Sequence, residues 1–452
     1  MKSILNLFVS IVTQPAILVS LIALIGLILQ KKKFSDIVSG TIKTMVGFLV
    51  LTGGAGILQN ALSPFADMFQ TALHTQGVVP SNEAVVALAL KDYGSQTALI
   101  MFIGMIVNIL LARFTRFKYL FLTGQAMMYV SCITAVILMS AGIKGNVIIV
   151  LLGGLFEGTL LTVTPALCQP FMKKITGNDK VAMGHTGNIG YAAAGWIGKW
   201  VGDGSKSTED LNVPKSFSFL RDSTISIMLL MSMVYIVLAL AAGPSYVEKH
   251  LSDGTSAIVY ALIQAGTFTA GFVVVLQGVR TVLAEIVPAF QGVAKKWVPN
   301  SKPALDVPII FSYAPNAVLI GFFTSFIVGT LSMFMMIALH TTVIIPGVVG
   351  HFFCGAAAGV YGNSTGGRRG AVTGSAFNSL LLSWLPLAIL PLLGSLKMAA
   401  STFADTDYLI PGFILGKVGQ IGSIALIVTI IVFTLIVIAA SIILNRYSNK
   451  AA

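Results

Sequence analysis

Charge is what this chain has least of. Only 10% of its 452 residues are Asp, Glu, Lys or Arg, where a soluble protein carries about 25%. With 56% hydrophobic residues and a mean hydropathy of +0.90, most of the chain must face lipid or other helices rather than water. Cysteine is nearly absent. Cys132, Cys168 and Cys354 are scattered without metal or redox spacing, which argues against a disulfide framework or a metal site. No GxxxxGK[ST] phosphate loop, HExxH or CxxC occurs, so ATP hydrolysis by this chain is not expected, nor is any cofactor. GNSTG from Gly362 matches GxSxG by letter only, because a membrane hairpin lacks the strand-to-helix elbow that exposes a nucleophilic serine. The first apolar stretch runs from residue 16 to 29 into Lys31, Lys32 and Lys33 without a small-residue cleavage site, so no cleavable leader is expected.

What is present is glycine, 45 residues of it, and small residues let transmembrane helices approach closely. A lipid span needs roughly 20 apolar residues. Candidate spans are 15–30, 37–62, 96–112, 126–142, 147–167, 223–242, 257–277, 316–340, 347–365, 370–393 and 422–444. The expected fold class is therefore an all-α polytopic membrane protein of about eleven segments. The second and ninth spans are glycine-rich, and the pattern predicts broken or re-entrant helices there. The net charge of +12 falls in short clusters between apolar runs. That is a topology signal rather than a nucleic-acid footprint. Alternating the spans leaves only Lys2, Lys91, Lys144, Lys249, Lys397 and Lys417 on the side opposite the main clusters. This predicts an outside N-terminus and a cytoplasmic C-terminus in a bacterial inner membrane.

A weak internal echo supports two related halves. SGTIKTMVGFLVL from Ser39 resembles QGVRTVLAEIVPAF from Gln277, and LTGQAMMY from Leu122 is paired with SYAPNAV from Ser312. The expected organisation is a first membrane half over 1–198, a cytoplasmic linker over 199–222, a second half over 223–421, and a final helix with a short tail over 422–452.

Ionisable groups at membrane depth are costly and mark sites or pathways. Asp306 precedes an apolar run broken at Pro315, where a carboxylate can accept two hydroxyl hydrogen bonds. It can equally cap a helix or pair with a lysine. His185 lies in the glycine-rich break AMGHTGNIGYAAAGW, where a neutral imidazole both donates and accepts; the plain alternative is a structural loop histidine. His340 and His351 read as interfacial or packing residues. Glu157 is a lone carboxylate in an apolar span that could line the aqueous path. Arg280 and Glu285 have poor spacing for a helical ion pair and are expected to have separate partners. GGRRG at residues 366–370 reads as a tight cytoplasmic turn.

GTIKTMVGFLVLTGGAGIL from Gly40, RFTRFKYLFLTG from Arg113, MGH ending at His185, QGVRTVLAEIVPAFQG from Gln277 and ALD…IIFSYAPNAVLIGF from Ala304 run in order through nearly the whole chain. They resemble the ascorbate-type membrane subunit, enzyme IIC, of the bacterial phosphoenolpyruvate-dependent phosphotransferase system, in the ascorbate/galactitol superfamily. The resemblance implies inverted repeats, a V-shaped dimerising part, a substrate-holding core and a homodimer. It also implies a non-catalytic permease that moves L-ascorbate by alternating access, while cytoplasmic IIB and IIA subunits supply the phosphoryl group from a phosphocysteine. The implied substrate-binding residues are Asp306, His185, Thr186, the stretch Gln125, Ala126, Met127, Met128 and Tyr129, and the early pair Asn82 and Glu83. Gln125 stands where the family has histidine, and Tyr129 and Thr186 where it has glutamine. A transporter of a sugar alcohol or other sugar, or an ion-coupled secondary transporter, is the alternative expectation.

Overall fold

The structure is a computed structural model that describes residues 15–74, 76–211, 223–398 and 400–451; Lys2 and residues 212–222 of the expected linker lie outside them. The chain folds as a helical multi-pass membrane protein. In order, the elements are α1 (Pro15–Leu29), α2 (Phe34–Leu73), β1 (Gly77–Pro80), α3 (Asn82–Phe114), β2 (Tyr119–Phe121), α4 (Gly124–Ser140), α5 (Asn146–Thr176), β3 (Ala182–Met183) and α6 (Asn188–Val201). Next come α7 (Ser223–Ala242), α8 (Pro244–His250), α9 (Ala257–Trp297), β4 (Lys302–Leu305), α10 (Pro315–Ala338), β5 (Val343–Ile344), α11 (Val348–Ile389), β6 (Ser401–Thr402), α12 (Thr406–Ile421) and α13 (Ser423–Ala451). Among the described residues, seven helices are long and apolar enough to cross a membrane, or eight when α7 and α8, bent by 96°, count as one. The outer face is apolar, with Leu29, Phe114, Leu331 and Ile424 exposed, as lipid contact requires.

The expected break in the second span is not there. Residues 34–73 form one 40-residue helix. Its glycines serve packing instead: a Cβ at Gly47 would meet Thr281 and Val282 of α9, and one at Gly54 would meet Val275. Gly53 and Gly56 face open space. The ninth and tenth spans belong to α11, whose helical path is interrupted at Gly367 (φ 57°, ψ −146°). Asn378 donates to the Cys354 carbonyl (3.2 Å) and Ser375 to that of Gly355 (3.0 Å), so the two limbs run antiparallel and GGRRG is the turn of a helical hairpin. Arg368 holds that turn through the Ser207 carbonyl (3.0 Å). Gly198 of α6 and Gly362 and Gly370 of the hairpin bring backbones into direct contact, which only small residues allow.

Six short strands were not expected. They make two parallel three-stranded sheets, in the orders β5-β1-β6 and β2-β4-β3. Register pairs Gly77 with Val343, Val79 with Ser401, Leu120 with Pro303, and Ala182 with Ala304. Each sheet thus has its central strand from one part of the chain and both edge strands from the other. At the start of β4, Lys302 reaches Asp179 (2.7 Å), which also pairs with Lys173 (2.8 Å), and it lies 5.8 Å from the Tyr119 ring at the start of β2. Desolvation pushes the Asp179 carboxyl up, but hydrogen bonds from Lys173, Lys302 and Gln169 outweigh it and hold the group at about 2.

Candidate functional site

Parallel strands end on the same edge of a sheet, so the chain leaves all three in one direction. In both sheets that direction leads to one cavity of about 220 Å³, roomy for a small solute when one water needs roughly 10–15 Å³. Asn82 and Glu83 follow β1; Gln125, Ala126 and Tyr129 follow β2; His185 and Thr186 follow β3; Asp306 follows β4; Val349 and Gly350 follow β5; Asp405 and Tyr408 follow β6. A helix or 3₁₀ turn begins at or soon after each of these points, and a helix start carries a partial positive charge.

The polar groups are held by one another. Asp306 caps the 3₁₀ turn Val307–Ile310, accepting from the Val307 N–H at 2.8 Å. Its second oxygen accepts from Gln125 Nε2 at 3.2 Å. The Gly187 N–H donates to His185 Nδ1 at 3.2 Å, and Tyr191 Oη lies 2.7 Å from the same nitrogen. A nitrogen accepting from an amide carries no proton, so the network assigns the proton of a neutral His185 to Nε2. Thr186 donates to Asp405 at 2.6 Å, and Asn82 accepts from the Ala404 N–H at 2.8 Å. The starts of α6 and α12 meet head to head: the Ile189 N–H donates to Asp407 (2.8 Å), and the Asp407 N–H to the Thr186 carbonyl (2.8 Å). A carboxylate between two helix starts is electrostatically well placed. Tyr129 is 4% exposed, and its hydroxyl has no hydrogen-bond partner among the described residues.

Eight of the ten residues implied by the resemblance line this cavity. Met127 and Met128 do not. Met127 is buried in the core, and Met128, although three residues on from Gln125, lines a separate apolar cavity with Leu90 and Met101. Glu157 is also elsewhere, fully buried beside Gly104, accepting from Ser131 at 2.8 Å. His351 packs between Ser325 (2.8 Å) and Ser379 (3.5 Å). Asp405, Tyr408 and Arg280 complete the lining without having been expected there. The run Ala404-Asp405-Thr406-Asp407, with two acids in an apolar region, carried the same intramembrane-charge signal as Asp306. His185, Cys354 and Asp405 bring possible metal-ligand atoms within 4.8 Å of one another, and Tyr191 and Thr186 already hydrogen-bond to them.

A wall of carboxylates, an imidazole N–H, an amide and hydroxyls, with aromatic faces from Tyr129, Phe353 and Tyr408, can bind a small polyhydroxylated solute by exchange of hydrogen bonds. Comparison with known proteins agrees with this chemistry. The family described as EIIC-GAT, PTS system sugar-specific permease component, matches residues 10–407. The ascorbate-specific PTS system EIIC component of Mycoplasma pneumoniae is 26% identical over 415 residues, covering 79% of this chain and 62% of that protein. The chain therefore spans less than two thirds of that relative's length.

Proposed function

The chain belongs to the EIIC-GAT family of phosphotransferase-system sugar-specific permeases, of the ascorbate/galactitol type, and from that premise we propose that it binds L-ascorbate, or a closely related small polar solute, and carries it across the inner membrane. The observation that carries the reading is the convergence of all six strand ends on one polar cavity. Asp306 and Asp405 accept solute hydroxyls, His185 donates through Nε2, and Gln125 offers both a donor and an acceptor. Alternating access exposes the cavity first outside and then inside. A cytoplasmic IIB subunit, charged by IIA, phosphorylates the solute from a phosphocysteine, which makes uptake one-way.

The order of elements supports two repeated halves. A long helix, a strand, a helix, a second strand, two antiparallel helical limbs, a third strand and a short helix occur from α2 to α6 and again from α9 to α12. In this reading the halves are inverted repeats, the 199–222 segment joins them, and α13 is an addition. In that order SYAPNAV, at the start of α10, corresponds to the start of α3, and LTGQ to the start of α11. About eleven membrane segments, an outside N-terminus, a cytoplasmic C-terminus and a homodimer with a V-shaped part belong to the same proposal. A sugar alcohol is the second reading, favoured by Gln125, Tyr129 and Thr186, which change the donor set of the cavity.

Equilibrium binding of L-ascorbate to the purified chain, beside galactitol and xylitol, tests the reading. Saturable ascorbate binding should weaken by about 2 kcal/mol or more in Asp306→Asn and be lost in His185→Ala. Unchanged affinity in both variants would remove these residues from the site. A preference for a polyol would transfer the substrate assignment to the second reading.

A further inference from the structure

Most of the cavity wall comes from the strand ends, but one stripe comes from α9. Phe272, Leu276 and Arg280 follow one another by about a helical turn and line the cavity from that helix. Arg280 is the one basic side chain among the lining residues and makes no ion pair among the described residues. Glu285, the nearest acid along α9, instead lies against Gly40 of α2. An intramembrane guanidinium without a partner is costly, and its planar fork fits two adjacent oxygens that share a negative charge.

The acids of the wall already have partners of their own: Gln125 and the Val307 N–H for Asp306, Thr186 for Asp405 and Ser81 for Glu83. Glu83, Asp306 and Asp405 face the cavity with Arg280 and His185. Around those three carboxylates, and Asp407 behind them, lie the starts of α3, α4, α6, α11 and α12, whose partial positive charge eases the cost of the acids. Arg280 is the one permanent cation on the wall. Hydroxyl-binding groups at the strand ends serve an uncharged polyol and an enediol anion alike, so they cannot tell one from the other. Arg280 can.

We infer that the cavity takes its solute as a monoanion and that Arg280 is the residue that selects for charge. This rests on the transport reading above and deepens it from a small polar solute to an anionic one. L-Ascorbate at neutral pH is the anion of an enediol, whereas galactitol and xylitol carry no charge.

The test measures binding of these three solutes to the full-length wild-type chain and to Arg280→Gln and Arg280→Lys, with thermal unfolding as the check on folding. The wild type should prefer ascorbate, and its ascorbate affinity should fall as salt is raised. Arg280→Gln should lose about tenfold or more for ascorbate with polyol binding little changed, and Arg280→Lys, which keeps the charge but not the fork, should recover part of the loss. Wild-type ascorbate affinity in a folded Arg280→Gln chain overturns charge selection and leaves the transport reading intact. So does a wild-type preference for a polyol, which needs no variant to fold. A wild-type chain that binds none of the three solutes, and whose uptake needs no phosphocysteine partner, overturns both.

Discussion

At the scale of single residues, the cavity shows which side chains the sequence could announce. Asp306 was legible because it precedes a broken apolar run and His185 because it lies in a glycine-rich break, and both line the cavity. Met127 and Met128, implied by the same resemblance, lie away from this cavity. Arg280 was visible as a residue but not as a lining group, because its spacing from Glu285 says only that the two do not pair along the helix. Tyr129 offers a clean test. Its hydroxyl has no partner among the described residues, so Tyr129→Phe should leave stability unchanged or slightly raised. If the solute supplies the missing partner, affinity should fall by about 1 kcal/mol; titration calorimetry beside a melting curve separates the two effects. Asp179 gives the pH dependence. Its folded pKa of about 2 lies below its ordinary value of 3.8, so its contribution to stability is full above that ordinary range and is lost as pH falls toward 2. The stability difference between wild type and Asp179→Asn, measured by melting across this range, should vanish at the acid end. With Asp179 partly exposed, the difference at neutral pH should be modest.

At the scale of elements, long apolar runs were legible and short strands were not. Hydropathy locates a helix near each candidate span, because each must satisfy its own backbone in lipid. Strands of two to four residues, such as β3 and β1, are too short for an alternating pattern and are defined only by partners distant in sequence. Glycine was ambiguous for a related reason: the same residue permits a break or a close contact. The glycines of α2 and of the α11 hairpin now separate these uses. Gly370→Ala would drive a Cβ into the Gly362 carbonyl oxygen and toward Gly198. Backbone cannot give way as a side chain can, so a loss of about 1–3 kcal/mol or more is expected. Gly53→Ala meets nothing within 4 Å and should gain roughly 0.5–1 kcal/mol from helix propensity. Thermal unfolding of the two variants should move in opposite directions, and a neutral Gly370→Ala would mean the hairpin is looser than this packing implies.

At the scale of the whole molecule, the absence of a phosphate-loop motif in the sequence and the family assignment lead to one expectation. Vesicles containing this chain alone should not concentrate the solute, whether or not a proton or sodium gradient is imposed. Adding the phosphorylated cytoplasmic partners should start accumulation; gradient-driven uptake by the chain alone would move it to the ion-coupled class. The strand exchange between the two sheets has a consequence for biogenesis. The central strand β1 is translated long before β5 and β6 flank it, and β2 and β3 wait for β4 to come between them. A nascent chain that lacks β5 and β6 cannot complete the β5-β1-β6 sheet or the part of the cavity wall that follows those strands.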